Sequence, residues 1–183
     1  MSSLKPLDAS QLSPAMAALI EQPGSDRDHL TGLHMFAHKQ EVFAPIWAAY
    51  IDLLEHGKLE RSLKELVRAK IAQNNDCSSY ASKSVPRRAL PLGQAAPEST
   101  DEKLAAVGCY EVSTHLSGRE KLALRFAEKL GIEPEGLDDE FFALLRQEFS
   151  DAEIVELGHV IAVGIGFERF LSVWEPRVCA LSP

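Results

Sequence analysis

Apolar residues recur along this chain at three- and four-residue steps, a spacing that predicts a succession of helices with one buried face each. Ser13-Pro14 opens the first, with Ser13 as N-cap and Pro14 in the first turn, and it runs to about Glu21. After the loop Gln22-Pro23-Gly24-Ser25, Leu30 to His38 read as a second helix with Leu30, Leu33 and Ala37 on one side. A third runs from about Glu41 to Glu55, with Phe43, Ile46, Trp47, Tyr50, Ile51 and Leu54 as its apolar stripe. Pro45 is tolerated near its start, and Gly57 is its C-terminal stop. Leu59, Leu63, Leu66, Val67 and Ile71 form the buried face of the next helix. Glu65 lies off the centre of that stripe beside Ala69 and Ala72, small residues that let another helix approach closely. Asn74-Asn75-Asp76 breaks the helix and offers an N-cap to a short one that begins near Cys77 and stops before Pro86.

Beyond the loop Pro91 to Pro97, three capping boxes punctuate the chain. Ser99 with Glu102 opens a helix to about Val107. Ser117 with Glu120 precedes a helix carrying Leu122, Phe126, Ala127 and Leu130, closed by Gly131 and Pro134. Asp138 caps a helix with Phe141, Phe142, Leu145 and Phe149. Ser150 with Glu153 opens a long apolar helix from about Asp151 to Trp174, ended by Pro176. No stretch alternates with the period of a strand, so the expected fold class is all-α. The loop, short helix and longer helix around 58–84 have a counterpart around 134–174, a hint of an internal helical pseudo-repeat that no sequence identity supports. The expected organisation is a flexible N-terminus over 1–12 and a single domain over 13–183.

Composition narrows the partners. A chain of 183 residues with 45% hydrophobic content suits one domain with a real core. The formal charge of −8 argues against a nucleic-acid partner, and Lys83, Arg87 and Arg88 are too short a basic cluster to change that. Met1 to Pro6 lacks the apolar segment of a signal peptide, and the most apolar run, Ile161 to Phe167, is far shorter than a membrane span. These features point to a soluble cytoplasmic protein with no membrane contact. Cys77, Cys109 and Cys179 are too few and too irregularly spaced for a secreted disulfide framework.

Two residues carry candidate chemistry. Cys77, in the first turn of a helix, would feel the partial positive charge of unpaired N–H groups, which favours the nucleophilic thiolate; Lys83, Arg87 and Arg88 could add to it. The plain alternative is a small buried filler. Glu65, at the edge of a packed face, could serve as a proton acceptor, the plain alternative being a helix-surface pair with Arg61 or Arg68. Other spacings are weaker. His34 and His38 lie one turn apart, but the Glu of a zinc-protease motif is absent. Glu156 and His159 have the spacing of a di-iron helix without its second copy. Gly164-Ile165-Gly166 lacks a third glycine and sits inside a helix, where it serves close packing. No metal and no cofactor is expected.

The run Leu63-Lys64-Glu65-Leu66-Val67-Arg68-Ala69-Lys70-Ile71-Ala72-Gln73-Asn74-Asn75-Asp76-Cys77 resembles the active-site segment of the carboxymuconolactone decarboxylase and alkylhydroperoxidase D-like family, most of all its peroxidase-related branch. His34 to Phe43, Leu116 to Glu128 and Phe149 to Leu157 agree, so the resemblance covers about residues 13–175. It implies an alkylhydroperoxidase D-like helical domain that assembles into trimers or hexamers. It also implies a site built from a Glu, a Cys-x-x-Cys pair and a His. The Glu falls on Glu65 and the first cysteine on Cys77, but Tyr80 stands at the second cysteine position and Ser84 at the histidine position. Tyr80 cannot form the disulfide of a two-cysteine cycle.

What the resemblance then implies is a one-cysteine peroxidase acting on hydroperoxides, with Cys77 as the attacking thiol, Glu65 as proton acceptor and an external thiol or carrier as resolver. Tyr80, one turn from Cys77, could donate a hydrogen bond to the substrate, and Ser84 lies a further turn along that face. Whether Cys109 or Cys179 resolves an oxidised Cys77 stays open. The alternative is a non-redox decarboxylase or lyase of a small lactone, keto acid or aromatic-catabolism intermediate, using Glu65 and Tyr80 with His38 or His115 to bind the substrate. A third reading is a non-catalytic helical homo-oligomer.

Overall fold

The computed structural model describes residues 5–20, 34–75 and 101–172. They are helical throughout their periodic segments, and no strand occurs among them. α1 spans Pro14–Ile20, α2 Gln40–Glu55, α3 Arg61–Asn74, α4 Asp101–Ala105, α5 Gly118–Ile132, α6 Asp139–Glu148 and α7 Asp151–Ser172. Short 3-10 turns at Ala9–Gln11, Ala37–Lys39, Ala106–Cys109 and Pro134–Gly136 sit between or before them.

The helix starts follow the polar chemistry of their flanking residues. Met16 N–H donates to Ser13 Oγ at 3.2 Å, which caps α1. At α5 the capping box is complete: Glu120 N–H donates to Ser117 Oγ at 3.2 Å, and Ser117 N–H to Glu120 Oε2 at 2.8 Å. Asp138 Oδ1 accepts from Phe141 N–H at 2.9 Å and so caps α6. At α7, Ser150 donates to Glu153 Oε2 through both its N–H and its hydroxyl, each at 2.7 Å. Those bonds, with Arg119 Nη2 at 2.8 Å from Glu153 Oε1, hold the Glu153 carboxyl down at about 2, against an ordinary 4.5. A depressed carboxyl stabilises the fold above its unfolded value and loses that contribution as the pH falls toward the folded one. The stability gap between the parent chain and Glu153→Gln should therefore be open at pH 6 and shrink toward pH 2. Urea midpoints at pH 6 and pH 3 check this, and an equal gap at both would refute it.

α3 is the central element. α5 and α7 pack along it, and α2 and the turn Ala106–Cys109 also touch it. Leu63, Leu66, Val67, Ala69, Ile71 and Ala72 are all buried, so apolar contact surrounds the helix rather than forming a single stripe. Ala69 and Ala72 are both buried. Gly164 of α7 faces Ile71 and Tyr50 closely. A Cβ there would lie 3.0 Å from Ile71 Cδ1 and 3.1 Å from the Tyr50 hydroxyl, so any side chain would have to push these neighbours back by a few tenths of an ångström.

α2 turns Phe43, Trp47, Tyr50 and Leu54 inward. The rings of Phe43, Trp47 and Tyr50 pack into one aromatic wedge, in which Phe43 stacks on Phe36 and on Trp47 and Phe167 of α7 meets Trp47 at 5.2 Å and Phe43 at 5.8 Å edge-on. Ile46, expected on the same stripe, is half exposed instead, as is Val42. The contact is a row at steps of four, three and four residues, narrower than the sequence pattern suggests, and Ile46 falls to one side of it.

Residues 5–12 lie against the start of α2 and the turn before it. Leu7 N–H donates to His34 O at 3.3 Å, and Ser13 N–H to Gln40 Oε1 at 2.6 Å. Leu7 and Leu12 pack on the core. Among the described residues, no helix is long and apolar enough to cross a membrane.

Candidate functional site

α3 carries Arg61, Lys64, Arg68 and Lys70 but only one acidic residue, Glu65. Three of those cations are buried, Lys64 at 1%, Lys70 at 6% and Arg68 at 7% exposure, which demands partners. All four find theirs on other parts of the chain. Arg61 Nη1 lies 2.8 Å from Glu55 Oε2 at the end of α2. Lys64 Nζ lies 2.6 Å from Glu156 Oε1 on α7 and also donates to the carbonyls of Leu53 at 2.7 Å and His56 at 2.5 Å. Lys70 Nζ lies 2.8 Å from Glu128 Oε1 on α5. Arg68 hydrogen-bonds the Tyr50 hydroxyl of α2.

Glu156 completes the connection between α2 and α3. Its carboxylate also accepts from the backbone N–H groups of Lys58 at 2.8 Å and Leu59 at 3.2 Å. Burial works against its charge, but Lys64 and the two N–H donors outweigh it and hold the carboxyl below the ordinary range. Gly57 makes room for it. Its φ is +115°, a backbone that side chains rarely adopt, and a Cβ there would come within 2.3 Å of Glu156 Oε1. The glycine read from sequence as a helix stop thus also leaves space for a buried carboxylate.

Glu65 is left out of this scheme. It makes no ion pair, and its Oε2 is buried without a hydrogen-bond partner among the described residues. The plain reading made Glu65 a partner for Arg61 or Arg68; Arg61 pairs with Glu55, and Arg68 bonds the Tyr50 hydroxyl. Buried carboxylate oxygens without a donor are rare in folded proteins, so this one marks a place where chemistry or a bound group is to be looked for. The other buried polar atoms without a hydrogen bond, Arg68 Nε, Asn74 Nδ2 and Asn75 Nδ2, also belong to α3 and its C-cap.

Around Arg68 lies a buried polar cluster. Tyr50 is 3% and Glu168 5% exposed. Burial pushes the Tyr50 hydroxyl up to about 12, with the charge of Glu168 adding to the rise and that of Arg68 opposing it. A second cluster joins Lys70, Glu128 and Tyr110, whose hydroxyl donates to Glu128 Oε2 at 2.5 Å. Lys70 Nζ also stands 4.9 Å over the Tyr110 ring. Burial and the bond to Glu128 raise the Tyr110 hydroxyl. Burial opposes the charge of Glu128, but Lys70 and Tyr110 prevail and lower its carboxyl. These groups floor a cleft of about 230 Å³, with the exposed thiol of Cys109 at its rim.

The histidines named from the sequence have partners of their own among the described residues. His38 is exposed, and its Nε2 donates to Lys5 O at 2.7 Å. His34 donates through Nδ1 to Leu7 O at 2.6 Å, so this pair of imidazoles holds backbone carbonyls of the N-terminal segment. His115 is exposed in the loop before α5, with its N–H on Ser113 Oγ at 3.1 Å. His159 is exposed and donates to Val155 O at 2.9 Å, while Glu156 belongs to Lys64. No group of three or more metal-ligating side chains occurs among the described residues. Cys77, Tyr80, Ser84 and Cys179 lie outside the described residues.

Sequence reasoning passed over the partners that α3 recruits: Tyr50, Glu55, Glu128 and Glu156. One signal was present. A helix with Leu63, Leu66, Val67, Ala69, Ile71 and Ala72 buried has no open face wide enough for four cations. No family model matches the chain, and no curated protein matches it.

Proposed function

We propose that the chain is a one-cysteine thiol peroxidase acting on hydroperoxides, with Cys77 as the attacking thiol and Glu65 as proton acceptor. The observation that carries this reading is the buried, unpaired Oε2 of Glu65 on the central helix, twelve residues before Cys77. A carboxylate oxygen with no donor in place can take a proton from a thiol. Glu65 removes the Cys77 proton, and the thiolate attacks the terminal oxygen of the hydroperoxide. The S–O bond forms as the O–O bond breaks, and the departing alkoxide recovers the proton from Glu65 as an alcohol. Cys77 is left as a sulfenic acid. An external thiol condenses with it and releases water, and a second thiol reduces the mixed disulfide. Tyr80 contributes a hydroxyl near the substrate, and no bound cofactor is needed.

The test is to add an organic hydroperoxide to the purified chain and trap sulfenic acid with a carbon nucleophile. The adduct is expected on Cys77, absent in Cys77→Ser, and formed about a hundredfold or more slowly in Glu65→Gln. An unmodified Cys77 at modest peroxide would refute the assignment. If Glu65→Gln then abolished turnover of a small lactone or keto acid, the acid–base reading without a thiol would replace it.

A further inference from the structure

α2 has 16 residues, of which only Glu41, Asp52 and Glu55 are charged. A helix that is apolar nearly all round is normally covered on every side. Here the core covers one side. Phe43, Trp47, Tyr50 and Leu54 face inward, while Val42, Pro45, Ile46 and Ala49 recur at three- and four-residue steps along another face and are exposed. Val42 is 48% and Ile46 50% exposed, and the partly buried Leu53 continues the row. α6 shows the ordinary arrangement, with Asp139, Glu140, Arg146 and Glu148 turned to solvent. The polar groups of α2 and its flanks sit at the two ends of the apolar row. Lys39 pairs with Glu41 at its start, and His56 Nδ1 lies 2.9 Å from Asp52 Oδ1 at its end. All four side chains are largely exposed. Each end thus holds one acid and one base, and the middle holds neither.

We propose that this face of α2 is a self-association surface, covered by α2 of a second copy of the chain. The two helices run antiparallel about a two-fold axis between Ile46 and Ala49. The distribution of charge selects that direction. A parallel pairing would set the Glu41 of one copy against the Glu41 of the other, and likewise the two Asp52 carboxylates, and like charges across a seam oppose association. The antiparallel pairing sets Val42 against Leu53 and Ile46 against Ala49. It also lays Lys39 and Glu41 of one copy beside Asp52 and His56 of the other, so that each acid has a base of the second copy within about one turn. Ala49 and its neighbour Ala48 carry little bulk, which lets the two helix axes come close at the centre. Such a contact is self-complementary and closes at two chains. One helix face lies at the small end of interface sizes, so the dimer dissociates on dilution.

The experiment uses the full chain and two readouts. Sedimentation velocity from micromolar to millimolar concentration should show a monomer–dimer equilibrium. Ile46→Glu changes a half-exposed side chain, so the helical circular dichroism should stay as in the parent. It places two facing carboxylates in the seam and should raise the dissociation constant about a hundredfold or more. The direction is read by mixing Val42→Cys with Leu53→Cys under mild oxidation and mapping the disulfides by mass. The expected product links position 42 of one chain to position 53 of the other, and neither variant alone should link to itself at the new cysteine. A dimer equally tight in Ile46→Glu overturns the inference, and so does a 42–42 link in excess, which would report parallel helices. An assembly of three or more chains without the 42–53 link overturns it as well. So does a parent chain that stays monomeric at millimolar concentration. If the thiol of Val42→Cys in that monomer then resists a maleimide, another part of the same chain covers the face.

Discussion

Lys64→Met is expected to lower the free energy of unfolding by about 3–5 kcal/mol, the range for removing one partner of a buried ion pair. Lys64 is 1% exposed and its ammonium serves three acceptors: Glu156 Oε1, Leu53 O and His56 O. Methionine fills nearly the same volume, so the loss is electrostatic. Glu156, with its side chain 11% exposed, would keep only the N–H groups of Lys58 and Leu59, and two carbonyls at the end of α2 would lose a donor. The double variant Lys64→Met/Glu156→Met should recover part of the loss, because a buried pair replaced by apolar groups is often close to neutral. Urea unfolding of the two variants measures both values. A change below about 1 kcal/mol in the single variant would mean that the pair is hydrated in solution.

Trp47→Ala should cost a comparable amount, about 3–5 kcal/mol. The indole is 1% exposed and stands between Phe43 at 5.5 Å, Tyr50 at 5.8 Å and Phe167 at 5.2 Å. Truncation leaves a cavity that three rings cannot close without abandoning their contacts with each other. Trp47→Phe, which keeps a ring in place, should lose distinctly less. Thermal or denaturant unfolding compares the two. Equal losses would mean that Tyr50 and Phe167 collapse into the space.

How far the sequence could be read depended on how far apart the interacting residues are. The caps at Ser13, Ser117, Asp138 and Ser150 involve partners three residues away, and each was legible from the spacing of polar side chains. Gly57 was legible as a stop because only glycine adopts its backbone easily, yet the carboxylate it accommodates was not. The partners of Lys64 and Lys70 come from ninety-two and fifty-eight residues along the chain, and no periodicity announces such a choice. Ile46 was misplaced for a related reason: the pattern of α2 fixes a broad apolar arc, but only packing against α7 decides which part of that arc is covered. Glu65 was legible as a candidate. That it stands alone was not, since that depends on the partners taken by Arg61 and Arg68.

The link between α2 and α3 has a consequence for the order of assembly. Its two backbone donors, at Lys58 and Leu59, are satisfied by a side chain ninety-eight and ninety-seven residues later. During synthesis α2 and α3 leave the ribosome before Glu156 does. The local ties across their turn, Lys64 to the carbonyls of Leu53 and His56 and Arg61 to Glu55, need no later residue. A nascent chain cut short before α7 would keep those ties and still lack the acceptor for Lys58 and Leu59 N–H and the counter-charge for Lys64, so the turn is completed only by the last helix.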